Sequence, residues 1–480
     1  MTRRRVLLLS AAAVLFWICR RAYYVGYFND DAFYMIGARS LLLGRYAQLQ
    51  APGWPALTTY LPGWPMLLSP IVALAGGRLE VLQAYAVVLH VAALGLFASM
   101  IDREDGPQVA DLTLAALLAS PLIASTAGTL LSDGPMMLCA AAAVAAVSRC
   151  WGRRDAGIWI SIGVLGGLAA LIRPNGLALA AAIALLLVRE RRGKETALLA
   201  GTTLAIFALW LWRCALVSGL AWNYWSEMSS SIRAAGLSAA GNAGYYARDI
   251  FFRALWRLPG LGPGGEGLVA FLGTGLCVSG LLRARTTAGR CAALFAALFL
   301  APLIFWPKLA GRYAIPILPI ALWGACRGLA LIHRRAAILI VGLGAVLSAV
   351  ATAGVVKASR DPIQGANAPP SRAAAHLRAS SSAGSVLAAE YDGRWHILSG
   401  IAGVHVPYDV RTPESFAAFL REARVRLVLV EDTSSALRPL GGAYAVPQAD
   451  DLRELVKSLP GARVEWSDAQ ERVEIWRVSE

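Results

Sequence analysis

Apolar runs recur from Val6 to residue 356, and they constrain this 480-residue chain more than any other feature. Lipid offers no water to satisfy backbone N–H and C=O groups, so such runs are stable there as hydrogen-bonded helices. Composition agrees. Hydrophobic residues make up 57% of the chain and charged residues 16%, against about 25% charged in ordinary soluble domains. A soluble enzyme, a disordered chain and a disulfide-rich secreted module are excluded. A polytopic α-helical membrane protein remains.

The net charge of +15 is unevenly spread. Residues 1–356 hold 30 Lys/Arg against 14 Asp/Glu, and residues 357–480 hold 15 against 16. The excess therefore belongs to the apolar part, where it reflects loop orientation and anionic headgroups. No basic run is interleaved with aromatics, so nucleic acid is not a partner. The seven cysteines all precede residue 327, without a CxxC or a Cys/His cluster, and read as small buried hydrophobes.

The run Val6–Cys19 follows Met-Thr-Arg-Arg-Arg and lacks a small-residue cleavage site. It reads as an uncleaved first span with a cytoplasmic N-terminus. Ten further runs fall at about 82–101, 109–126, 134–148, 157–172, 176–188, 196–213, 266–282, 290–306, 314–332 and 336–356. Five alternate loops then carry Arg103; Arg149, Arg153 and Arg154; Arg189, Arg191, Arg192 and Lys194; Arg283, Arg285 and Arg290; and Arg334 and Arg335. Four of the five are clearly basic. The acidic exception is Asp102-Arg103-Glu104-Asp105. Eleven spans place the tail outside, in an inner or cytoplasmic membrane.

The expected organisation is a membrane module over 1–356, a linker over 357–370 and a soluble extracytoplasmic α/β domain over 371–480. Within the module, the outer loop 21–80 carries two juxtamembrane helices. One begins near Asp30, has an apolar face at 33, 36, 37, 41 and 42, ends at Gly44 and is expected along the membrane surface. The other covers 64–75, too short to span. In the tail, 385–390, 400–407, 426–432, 463–467 and 472–478 read as strands. Residues 413–424 and 450–459 read as helices.

Few polar groups fall on the outer side, so each invites a reason. Asp30 and Asp31 stand side by side. A helix cap needs only one acid, and two repel, so the pair reads as a base or metal site as well as a cap. Asp133, in Leu131-Ser-Asp-Gly-Pro135, is the only acid between 112 and 154. Arg173 lies in Leu171-Ile-Arg-Pro-Asn-Gly176, and Lys308, Arg312 and Tyr313 lie in a later outer turn. Cations beside carboxylates suit an anionic lipid-phosphate substrate attacked by an acceptor hydroxyl. Outer aromatics such as Trp54, Tyr60, Trp64, Trp222, Tyr224 and Trp225 can stack on sugars or sit in an interfacial belt. The five histidines show no ligand spacing, and no GxSxG, Walker or HExxH motif occurs.

These motifs resemble, in order, those of GT-C fold glycosyltransferases. The similar group contains protein O-mannosyltransferases, lipid A aminoarabinose transferases and rhizobial lipopolysaccharide transferases. Asp30-Asp31-Ala-Phe-Tyr34 with Ala38-Arg39 and Gly44 resembles the first acidic segment, with Asp31 where kin often have Glu. Tyr60-Leu-Pro-Gly-Trp64-Pro resembles the "YPPGYP" or "KPPL" segment, with Leu61 in place of Lys. Ser132-Asp133-Gly-Pro, Leu171-Ile-Arg-Pro and Gly311-Arg-Tyr-Ala-Ile-Pro-Ile-Leu-Pro319 resemble the later elements. The likeness covers about residues 20–320 and leaves the tail out.

The resemblance implies sugar transfer from a polyprenyl-phosphate donor to an envelope lipid, glycan or protein, on the extracytoplasmic face, with inversion. It implies Asp30 as base, supported by Asp31 or Asp133. It implies Arg173, Lys308 and Arg312 on the donor phosphate, and Tyr34, Tyr60, Trp64 and Tyr313 on donor or acceptor. The one cofactor it allows is a divalent metal ion on Asp30 and Asp133. The expected partners are the lipid-linked sugar, membrane lipids and an acceptor. A transporter or flippase of lipid-linked glycans and a non-catalytic envelope protein are the competing readings. A transporter would call for internal repeats and a mid-membrane polar path, neither of which the sequence carries.

Overall fold

The computed structural model describes residues 3–20, 24–218, 239–253, 263–306, 309–360, 369–382, 384–407, 410, 412–432 and 449–478. The chain divides into two compact units, 1–21 with 61–64 and 80–360, and 22–60 with 65–79 and 361–480. The outer loop of the sequence reading therefore clusters largely with the tail.

The named elements of the first unit are all helices among its described residues, and the apolar runs lie on them. Six of these are long and apolar enough to cross a membrane: Leu79–Asp105, Gly193–Val217, Gly264–Leu282, Thr287–Ile304, Gly311–Ile332 and Ala337–Gly354. Leu209, Leu216, Phe271, Leu339 and Val350 stand exposed on them, as suits helices whose outer faces meet lipid. One expected span is broken. The run 109–126 forms two helices, Pro107–Leu118 and Pro121–Thr126. Pro121 cannot continue the hydrogen-bond ladder, and the Ser120 hydroxyl accepts the Ile123 N–H to start the second helix. Glycines allow close contact between helices. Gly163 and Gly166 of Ala156–Ile172 lie against Leu199, Thr202 and Thr203 of Gly193–Ser218. Thr203 donates its hydroxyl to the Gly163 carbonyl at 2.9 Å, the small-residue packing common between membrane helices.

The acidic loop that breaks the basic pattern is a staple. Buried Arg5 of helix Arg3–Cys19 reaches Asp102 at 2.7 Å and Asp111 at 3.2 Å. Arg327 pairs with Glu104 at 2.9 Å and Asp105 at 2.8 Å. Glu104 also accepts the Thr286 N–H, at 3.1 Å, beside the start of helix Thr287–Ile304.

The second unit contains a five-stranded sheet, β1 Val386–Ala389, β2 Ala402–His405, β3 Val425–Glu431, β4 Arg463–Asp468 and β5 Val473–Arg477, in the order β2-β1-β3-β5-β4. The strands β2, β1 and β3 are parallel, and β5 pairs antiparallel with both β3 and β4. Helices cover both faces. Phe416, Leu420, Leu452 and Val456 pack on one side, and Ala373, Leu377 and Trp395 on the other. This is why β1, Val-Leu-Ala-Ala, is apolar at every position. The strands and the helices Pro413–Glu422 and Ala449–Lys457 match the sequence reading. The helices Ser371–Ser380 and Asp392–Ser399 are additional.

The helix that begins at Asp30 spans Asp30–Leu42, and Gly44 follows with φ +71°. It departs from the expected surface helix. Every residue from Asp31 to Ala38 is buried, so it is a packed element without a solvent or headgroup face over that stretch. Tyr46 and Pro65 close against Gly37, while Gly393 of Asp392–Ser399 lies against Phe33.

Candidate functional site

The candidate residues fall in two places, one in each compact unit. In the second unit, the two adjacent acids do different work. Asp31 is 0% exposed. Its carboxylate accepts the Gly26 N–H at 2.9 Å and the Phe28 N–H at 3.1 Å. These donors precede the helix, so Asp31 holds the incoming turn rather than capping the helix end. Burial pushes its carboxyl up to about 6; the neighbouring Asp30 charge adds to the rise, and the Gly26 N–H opposes it.

Asp30, one position earlier and so about 100° around the helix, is only half-buried. Its Oδ1 accepts the Tyr60 hydroxyl at 3.2 Å. Tyr60 stacks on Phe33 with ring centroids 4.5 Å apart and meets Tyr34 edge-on at 5.8 Å. Burial and then the Asp30 charge push the Tyr60 phenol up, which keeps it a donor at neutral pH. A carboxylate presented beside a fixed phenol can take a proton from an approaching hydroxyl.

In the first unit, Asp133 opens helix Asp133–Cys150 and is 1% exposed. Arg173 pairs with it at 2.8 Å, and Arg312 lies 3.8 Å away. Arg173 also donates from Nε to the Ser132 hydroxyl at 2.8 Å. The Tyr313 ring centroid is 5.3 Å from the Arg173 guanidinium carbon and 5.0 Å from that of Arg312. Local sequence explains the convergence. Arg173 precedes Pro174, which disfavours helix and leaves it extended at φ −147° between two helical segments. Gly134 has no side chain because the ring of His90 occupies that place. One carboxylate holds two guanidiniums in one place, and guanidiniums suit a phosphate.

Several sequence expectations change here. Trp64 is fully buried, stacked on Tyr85 with centroids 5.9 Å apart, and its indole N–H goes to the Leu130 carbonyl at 3.0 Å. It has no free face for a sugar, so its role is packing. Lys308, Trp222, Tyr224 and Trp225 lie outside the described residues. Among the described residues no group of three or more His, Cys, Asp or Glu side chains could hold a metal ion. Asp133 already faces two cations, which makes it a poor ligand for a third. The metal site on Asp30 and Asp133 therefore does not fit the donor chemistry.

Two buried groups escaped the sequence reading. Asp249 sits directly on Gly311, one residue before Arg312. Arg394, in the tail, donates to the backbone of the acidic motif's own loop. Neither has a motif around it. Gly311, in a turn rich in proline, was the available signal for the first.

Comparison with known proteins places this geometry. Residues 60–215 match the family model described as dolichyl-phosphate-mannose-protein mannosyltransferase. No curated protein sequence matches the chain. Among solved structures, ArnT from Cupriavidus metallidurans bound to undecaprenyl phosphate is similar at TM-score 0.61 and 14% identity, with 98% of this chain and 97% of that chain covered. The archaeal oligosaccharyltransferase AglB from Archaeoglobus fulgidus, in complex with an inhibitory peptide and a dolichol-phosphate, is similar at TM-score 0.56 and 11% identity, covering 88% and 69%. The chain is thus a helical membrane protein with the GT-C glycosyltransferase fold and a small C-terminal sheet domain.

Proposed function

We propose that this chain is an integral membrane glycosyltransferase that moves a sugar from a polyprenyl-phosphate donor to an envelope acceptor on the extracytoplasmic face, with inversion. The observation that carries the reading is the convergence of Arg173 and Arg312 on buried Asp133, in a fold whose solved relatives hold polyprenyl phosphates.

The acceptor oxygen attacks the anomeric carbon, and the bond from that carbon to the phosphate oxygen breaks. The electron pair leaves with the lipid phosphate, whose charge Arg173 and Arg312 receive. Asp30 takes the acceptor's proton, and Tyr60 fixes the carboxylate through its hydroxyl. Asp31 supports Asp30 by holding the turn before it, and Asp133 orients the two arginines. The basic loops support a cytoplasmic N-terminus and an extracytoplasmic tail.

The test is transfer in reconstituted vesicles with polyprenyl-phosphate sugars, alongside mass spectrometry of lipids from cells with and without the gene. Asp30→Asn should lower turnover about 10²- to 10⁴-fold. Full turnover by a folded Asp30→Asn variant removes Asp30 as base. A lipid-linked glycan that changes sides without losing its sugar would replace transfer with transport.

A further inference from the structure

Parallel α/β sheets bind ligands outside the carboxyl ends of their strands, where the strand order changes direction. In this sheet that point lies between β1 and β3, because β2 is on one side of β1 and β3 on the other. Arg394 comes from the helix that follows β1, and Glu431 ends β3. Their side chains pair at 2.6 Å. The crevice is occupied by the chain itself. Arg394 donates from Nε to the Gly26 carbonyl at 2.6 Å and from a terminal nitrogen to the Tyr27 carbonyl at 2.9 Å.

The same turn is held from its other polar edge. Asp31 accepts the N–H groups of Gly26 and Phe28, so carbonyls and amides of residues 26–28 are fixed by opposite charges. Two glycines allow the approach. A side chain on Gly26, at φ +104°, would meet the Arg394 backbone at 3.0 Å, and one on Gly393 would meet the Phe33 ring at 2.9 Å. Arg394 is almost wholly buried and lies over the Tyr391 ring at 4.5 Å, so its guanidinium has little freedom. Residue 30 follows this turn within two positions.

We infer that Arg394 is a positioning residue for Asp30, and that the C-terminal domain holds the acidic motif as its own built-in ligand. The inference rests on the reading of Asp30 as base. It assigns the tail a task in turnover, beyond acceptor recognition or cover. Lysine cannot replace arginine here, because one ammonium does not reproduce a planar fork aimed at three acceptors.

The experiment uses the full-length protein in detergent and in vesicles. Arg394→Ala and Arg394→Lys are compared with the paired variant Arg394→Met/Glu431→Gln, which leaves no buried charge alone. In each folded variant, kcat should fall about 10- to 100-fold, while KM for the lipid-linked donor stays within about twofold. Hydrogen exchange at the Gly26 and Phe28 amides should accelerate, and added guanidinium should restore part of the Arg394→Ala turnover. Unchanged kcat, or a matched loss in KM, overturns the positioning role. So does unchanged exchange at Gly26 and Phe28, whatever the turnover. Full activity in Asp30→Asn, with accelerated exchange in Arg394→Ala, overturns the base assignment and leaves the clamp standing.

Discussion

Asp31 and Asp133 are both buried carboxylates, and they are satisfied in opposite ways. Asp31 is held by the N–H dipoles of Gly26 and Phe28. Asp133 is held by the full charges of Arg173 and Arg312. Burial strips water from the first, and dipoles only partly replace it, so that acid resists ionising. At the second, two guanidiniums converge on one carboxylate, an arrangement with a use for an anion. The contrast separates a carboxylate that shapes backbone from one that stores cations.

The largest test of that contrast removes the carboxylate from the cations. Asp133→Ala should destabilise the protein by about 3–5 kcal/mol, because buried Arg312 and partly buried Arg173 lose a shared counter-ion. Chemical denaturation in detergent measures it, and a loss under about 1 kcal/mol would mean the arginines do not depend on Asp133.

Next comes the pH response of Asp31. Its carboxyl sits at about 6 rather than 3.8, so the folded chain keeps a proton that the unfolded chain releases. The stabilisation is complete below about pH 4 and is lost as the pH rises through about 6, roughly 1.4 kcal/mol per pH unit and 2–3 kcal/mol in all. Asp31→Asn should flatten that slope in melts across pH 4–7. The same slope in the variant would assign it elsewhere.

Smaller again, Arg173→Ala and Arg312→Ala should each lower kcat/KM for the lipid-linked donor about tenfold or more, the weight of a hydrogen bond between charged groups. An effect confined to the acceptor would reverse the assignment. Smallest, Tyr60→Phe should lower kcat about threefold by freeing the Asp30 carboxylate, with stability almost unchanged. A large stability loss instead would make the Phe33–Tyr60 stack the dominant role of that side chain.

Much of the fold was legible because lipid and water impose strong rules. Apolar runs gave the membrane helices, and short runs bounded by turn residues gave the strands of the tail. The helix Ser371–Ser380 was not legible, since its buried face is Ala373, Ala374 and Leu377, a weak stripe just after the linker. The helix Asp392–Ser399 was hidden because it buries Asp392 and Arg394, against every pattern rule, and only tertiary partners explain them. The pair Asp30-Asp31 was visible, but not its division of labour. Adjacent helical residues diverge by about 100°, and only packing decides which one faces inward. The Arg394 clamp joins residues 368 apart in sequence, and no local signal reports such a partner.

The staple at Asp102–Asp105 has a consequence for assembly. Its cations come from the first helix and from one near the end of the module; Glu104 and Arg327 are 223 positions apart. During synthesis, Glu104 and Asp105 are made long before Arg327 exists. A partly made chain therefore carries unpaired acids where the finished one carries buried ion pairs. Helix Leu318–Ile332 acts as a late clasp, because it brings the Arg327 that pairs with Glu104 and Asp105.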